Sequence, residues 1–251
     1  MDPYAWPWNP EALVVLPGIA GGYALAVRRL GAPWWRIACF SLAVVLLLVV
    51  TITPLHTLAI ERLLLVHLLQ NVVLAEWAPL LLVLGLTPPM AARLAALPGA
   101  RVLVHPAVAL PLWVVNYVAW HLPPAYDAAL RSPHALLHLE HALYLATGIL
   151  LWFPVVHDAP RALAAGVRAG YVFAAFVLSS PIGLVLALVP EPVYELYERA
   201  PRTWGLSVLT DQQLAGATMA LEQSVVFFAV FAFWTARFFA EQDHQDDPPD
   251  D

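Results

Sequence analysis

The chain has 251 residues, of which 61% are hydrophobic and 12% charged, with a mean hydropathy of +0.72. Soluble domains carry about a quarter charged residues, so this composition excludes an ordinary globular domain and makes the bilayer the solvent. The formal charge of −6 is local: Glu241, Asp243, Asp246, Asp247, Asp250 and Asp251 account for it, and the remaining acids balance 12 bases. Every base is an arginine, and they form no basic stripe of the kind nucleic-acid binding needs, so nucleic acid is not an expected partner. The single cysteine, Cys39, excludes an internal disulfide framework and a thiolate cluster. A metal would have to be held by His, Met or carboxylate.

The start of the chain, rich in Pro and Trp and without a basic region, reads against a cleaved signal peptide. Seven apolar segments follow that meet the roughly 20-residue requirement for crossing a bilayer, near 12–29, 36–54, 60–84, 105–121, 134–155, 168–189 and 212–238. Pro, Gly and charge separate them, as at Gly31-Ala-Pro33, Thr87-Pro-Pro89, Pro98-Gly99, Pro123-Pro124 and Asp158-Ala-Pro160. The pattern predicts an all-α polytopic integral membrane protein with seven transmembrane helices over 1–240. An acidic, disordered cytoplasmic tail is expected over 241–251. Arg28, Arg29, Arg36, Arg93, Arg101, Arg161, Arg168 and Arg237 fall on one side of this topology. Arg62, Arg131, Arg199 and Arg202 fall on the other. Positive charge is retained inside, which predicts the N-terminus outside and the C-terminus in the cytoplasm.

Ionisable groups inside a membrane are costly and mark candidate sites. Of nine histidines, six gather toward the outer side: His56, His67, His121, His134, His138 and His141. His134, His138 and His141 follow an i, i+4, i+7 spacing that places them on one helical stripe. His67 shares a face with Gln70 and Asn71, and Asp211, Thr218 and Glu222 share another, with Met219 beside it. Imidazoles converging from several helices suit Cu or Zn. This reading selects His67, His138, His141 and His121 as candidate metal ligands. Gln70, Asn71, Glu140, Asp211, Met219 and Glu222 are candidates for the surrounding shell or a proton path. His56, His105 and His157 read as interfacial. Glu76 and Glu222, with no arginine within a turn, read as buried hydrogen-bonding groups.

The motifs, in order, are His67-Leu-Leu-Gln70, Ala78-Pro-Leu-Leu-Leu-Val-Leu-Gly85, His105-Pro106, Trp120-His-Leu-Pro-Pro-Ala-Tyr126 and His138-Leu-Glu-His141. Gly148-Ile-Leu-Leu-Trp152 with Pro154, then Tyr171, then Asp211-Gln-Gln-Leu-Ala-Gly-Ala-Thr-Met219 complete them. Over this stretch the chain resembles the CtaG-type cytochrome c oxidase assembly factors, a family of seven-span membrane proteins. It departs at Asn71, where many members carry a second histidine after the glutamine. The resemblance implies a role in maturing a haem-copper oxidase by holding or delivering copper, with cytochrome c oxidase subunits as partners. The setting it implies is the plasma (inner) membrane of a prokaryote, and the role is one of assembly rather than catalysis.

Two other readings use the same residues. A membrane zinc hydrolase would hold the metal on three histidines, with Asp211 or Glu140 as base, although no HExxH pattern is present. A haem protein would use two histidines from facing spans as axial ligands.

Overall fold

The computed structural model describes residues 2–246, and every regular element among them is a helix. The helices are α1 (Pro10–Leu30), α2 (Trp34–Ile52), α3 (Pro54–Glu61), α4 (Leu64–Val72), α5 (Ala78–Gly85), α6 (Pro88–Ala95) and α7 (Ala100–Leu103). They continue with α8 (Pro106–His121), α9 (Pro123–Arg131), α10 (Leu136–Val156), α11 (Ala165–Leu188), α12 (Glu195–Arg199) and α13 (Val208–Asp246). A π-helical turn, Val73–Trp77, joins α4 to α5. The upper end of the bundle is defined here as the end at which α1 begins.

Six of these units are long and apolar enough to cross a membrane: α1, α2, the α4–α5 unit Leu64–Gly85, α10, α11 and α13. The seventh predicted span, 105–121, is the 16-residue helix α8. At 1.5 Å per residue it covers about 24 Å, short of a hydrocarbon core of about 30 Å. Prolines set both its ends, because Pro106 starts it and Pro123 opens α9 immediately afterwards. The acidic tail predicted as disordered over 241–251 is helical as far as Asp246, where it continues α13; residues 247–251 lie outside the described residues.

The break between α4 and α5 follows from Pro79. Proline has no N–H for the carbonyl one turn back, and its ring crowds that group. The carbonyl concerned is that of Ala75. Trp113 of α8 donates its indole N–H to it at 3.4 Å, and Trp152 of α10 does the same for the Glu76 carbonyl at 3.1 Å. Both tryptophans are fully buried. The irregular turn, a feature that often marks functional segments, is therefore clamped from two neighbouring helices.

Close approaches complete the bundle. α11 runs along α13, and a Cβ at Gly216 would stand 2.5 Å from both Ala187 N and Gly183 O. Small residues at this crossing let two membrane helices meet backbone to backbone. At the lower end arginines serve helix C-termini. Arg36 donates to the Leu84 carbonyl at 2.9 Å and to that of Leu86, while Arg168 donates to the Val155 carbonyl at 3.1 Å and pairs with Asp158.

α10 lies against the π turn at Gly148, where an added Cβ would meet the Ala75 carbonyl oxygen at 2.3 Å and Pro79 Cγ at 2.6 Å. Backbone cannot yield as a side-chain tip can. Gly148→Ala is therefore expected to cost about 1–3 kcal/mol, read as a lower thermal unfolding midpoint in detergent. An unchanged midpoint would mean that the two elements are not tightly apposed.

Candidate functional site

The site lies at the upper end and is organised by the start of α4. That helix begins after Leu63, whose side chain offers no cap, so its first N–H groups need acceptors from elsewhere. Asp211 of α13 supplies both, accepting from Leu64 N at 2.8 Å and Leu65 N at 3.0 Å. This commits the carboxylate to the backbone, and it does not stand as the free base of the hydrolase reading. The capped helix presents His67, Gln70 and Asn71, all buried.

Hydrogen-bond logic fixes the tautomers. Tyr197 donates its one hydroxyl hydrogen to the Ala59 carbonyl at 2.6 Å, so the 2.7 Å contact between the same hydroxyl and His67 Nδ1 must be donated by the imidazole. His67 Nε2 is left with its lone pair, buried and without a protein partner. His121 repeats the arrangement. Its Nδ1 lies 2.7 Å from the Tyr117 carbonyl, which can only accept, and its Nε2 is likewise buried and unpartnered. Tyr144 approaches that Nδ1 at 3.3 Å. His141 Nε2 is the third buried imidazole nitrogen without a partner.

The rings of His67 and His141 are 6.4 Å apart between centroids, and those of His56 and His141 are 6.0 Å apart. Tyr126 lies 5.0 Å from His67 and 6.3 Å from His121, and so bridges the two halves of the cluster. It stacks on Tyr194 at 4.0 Å, and Tyr194 donates to the His121 carbonyl at 2.9 Å. The segment leading into α12 thereby closes the site from above. Among the described residues no three His, Cys, Asp or Glu side chains are disposed to hold one ion together.

Sequence reasoning missed three contributors. His56, expected at the interface, is buried and bound to α4. Gln70 donates one amide hydrogen to the Val50 carbonyl at 2.7 Å and faces His56 Nδ1 at 3.0 Å, which makes that nitrogen an acceptor. Tyr126 and Tyr197 come from α9 and α12, short helices outside the apolar periodicity. Their signal was the aromatic content of the Pro-Pro-Ala-Tyr126 and Tyr194-Glu-Leu-Tyr197 stretches.

The remaining candidates disperse. His138 is half-buried at the mouth of the cluster, with its ring 6.2 Å from that of His134. Asn71 donates to Glu140 at 3.2 Å, joining α4 to α10. Met219 belongs to the apolar core. Glu222 accepts the Trp77 indole N–H, while Glu76 accepts from Gln223 at 2.8 Å and Gln223 reaches Tyr117 at 2.7 Å. His105 caps α8 and His157 sits 2.9 Å from the Val83 carbonyl, both at the lower end.

The sequence profile of the cytochrome c oxidase caa3 assembly factors (CtaG) matches residues 21–241. The chain belongs to that family. Uncharacterized proteins of Mycobacterium bovis and Mycobacterium tuberculosis are each 25% identical over 265 residues, covering 93% of this chain. The chain spans only 38% of the length of each. No solved structure matches it. Family and helices together describe a membrane-embedded, multi-pass CtaG protein.

His56 lies outside the membrane-spanning helices, and burial, with His138 as the next cause, holds its imidazole down to about 4 from an ordinary 6.5. The folded state thus favours the neutral ring, while the unfolded chain takes up its proton first as the pH drops. This contribution to stability is present above 6.5 and is lost as the pH falls toward 4. The unfolding midpoint of wild type should fall across this window more steeply than that of His56→Gln. Identical pH profiles would refute the assignment.

Proposed function

We propose that this chain supports maturation of a haem-copper cytochrome c oxidase by holding or delivering copper at its buried histidines, with His67 and His141 as the pair that holds an ion and His121 beside them. In this reading it spans the plasma membrane of a prokaryote seven times, with α8 as a short fourth span, the histidines facing outward and the acidic tail in the cytoplasm. Cytochrome c oxidase subunits are its partners.

The observation that carries the reading is the set of three buried Nε2 atoms without protein partners, two of them on rings whose opposite nitrogen is committed to a hydrogen bond. A metal-binding imidazole characteristically has its other N–H held in this way, which orients the ring and raises its basicity. The spacing favours few ligands. With metal–nitrogen bonds of about 2.0 Å, two imidazole centroids stand about 5 Å apart around a tetrahedral ion and about 6 Å apart when they oppose each other. The 6.4 Å between the His67 and His141 centroids matches the open arrangement, which suits Cu(I) held for transfer rather than a closed structural site. His138 is assigned to the approach to the cluster and not to the ligand set.

Cu(I) titration of purified protein is expected to give one tightly bound ion per chain, lost or strongly weakened in His67→Ala and His141→Ala. Tyr197→Phe, which removes the partner of His67 Nδ1, should weaken binding by about 10–100-fold. Wild-type stoichiometry and affinity in all three variants would defeat the copper reading. In a deletion strain the oxidase should lack activity and copper, and recover both on complementation; a fully active, metallated oxidase would remove the assembly role for this chain.

A further inference from the structure

Two cavities share His138 as a wall. The first, of about 470 Å³, opens at the upper end between the N-terminal segment, α3 and the start of α10, and is lined among others by Asp2, His56, Glu61, His134 and His138. The second, of about 210 Å³, lies between α1, α2, α4 and α10 and is lined by His138, His141, Thr51 and apolar side chains. Asn9 also borders both.

We infer that the first cavity is an access vestibule for a cationic metal ion, in which His134 and His138 act as transient ligands that pass the ion to His141. The inference rests on the copper reading of the buried cluster and adds the route to it. Its walls have the right chemistry. Asp2 and Glu61 give the mouth a negative sign, and no arginine lines it among the described residues; a cleft of one sign concentrates counter-ions and raises their capture rate. The two imidazoles, 6.2 Å apart and edge to face, lie where an ion from outside meets them before the cluster. His138 lines the inner cavity as well, together with His141, so one imidazole borders both spaces along the route inward.

The vestibule is a built feature of the fold. Thr57 donates to the Ala5 carbonyl at 2.9 Å, fastening the N-terminal segment over α3, and Asn9 accepts from Ala12 N at 3.1 Å, which fixes the start of α1.

A residue used only in transit changes loading and release rates by the same factor and leaves the equilibrium affinity alone, whereas a resident ligand changes the affinity. The experiment is stopped-flow Cu(I) exchange with a chromophoric chelator on the full chain in detergent. It compares wild type, His134→Ala, His138→Ala and the double variant, each first checked for an unchanged unfolding midpoint. The double variant should load and release about tenfold more slowly, with unchanged affinity and stoichiometry, and each single variant should fall between it and wild type. Wild-type rates in the double variant would overturn the vestibule while leaving the cluster standing. Loss of affinity or stoichiometry would overturn it too, by making these residues ligands. A wild-type protein that binds no Cu(I) would instead defeat the copper reading itself.

Discussion

A helix whose first backbone N–H groups are buried by neighbouring protein needs acceptors that water cannot supply, and the start of α4, with Leu64 buried, is such a place. The Asp211 carboxylate resolves it from a distance of about 150 residues in the chain, accepting from Leu64 and Leu65. Because the first turn of α4 is fixed to α13, the positions of His67, Gln70 and Asn71 are fixed as well. The phenol of Tyr197, the His56 ring and Glu140 then assemble around those three residues. Removing the acceptor would leave two buried donors unmatched, a penalty of about 1–3 kcal/mol for each, and would loosen the segment on which the site is registered.

The same accounting explains the middle of the membrane. Pro79 deprives the Ala75 carbonyl of its donor, and the bundle answers with the Trp113 indole N–H rather than with solvent, while Trp152 serves the neighbouring Glu76 carbonyl. Trp113 and Trp152 thus fill volume and satisfy backbone at once, which accounts for such large polar-tipped rings at full burial. Glu76 and Glu222, directly at this turn, are held by Gln223 and Trp77, so the carboxyls belong to the clamp between the π turn and α13.

Hydropathy made the long helices legible, since about 20 apolar residues in a row admit few other readings. It could not settle α8, where apolar character is sufficient and proline-bounded length is not. For the candidate site, the histidine count and spacing pointed to the upper end of the bundle, where His67, His121 and His141 lie buried. The distinction between His138 and His141 was not readable. Both lie on one stripe, but His141 is enclosed by the rings of His56 and His67 from α3 and α4, whereas His138 is half-buried. Asn71 facing Glu140 and Tyr197 facing His67 are contacts between distant elements, for which a single helix's periodicity holds no information.

Tryptophans ring the two ends of α1 and α2. Trp6 and Trp8 are 71% and 80% exposed above, and Trp34 is 80% exposed below, with the 21 residues of α1 between them, a length of about 30 Å. Indoles settle at the level of lipid headgroups, so the belts act as a depth gauge. Trp8 is itself part of the vestibule wall. On the proposed copper route a donor would therefore release its ion within the headgroup layer, where handover becomes an encounter on a surface rather than in bulk water.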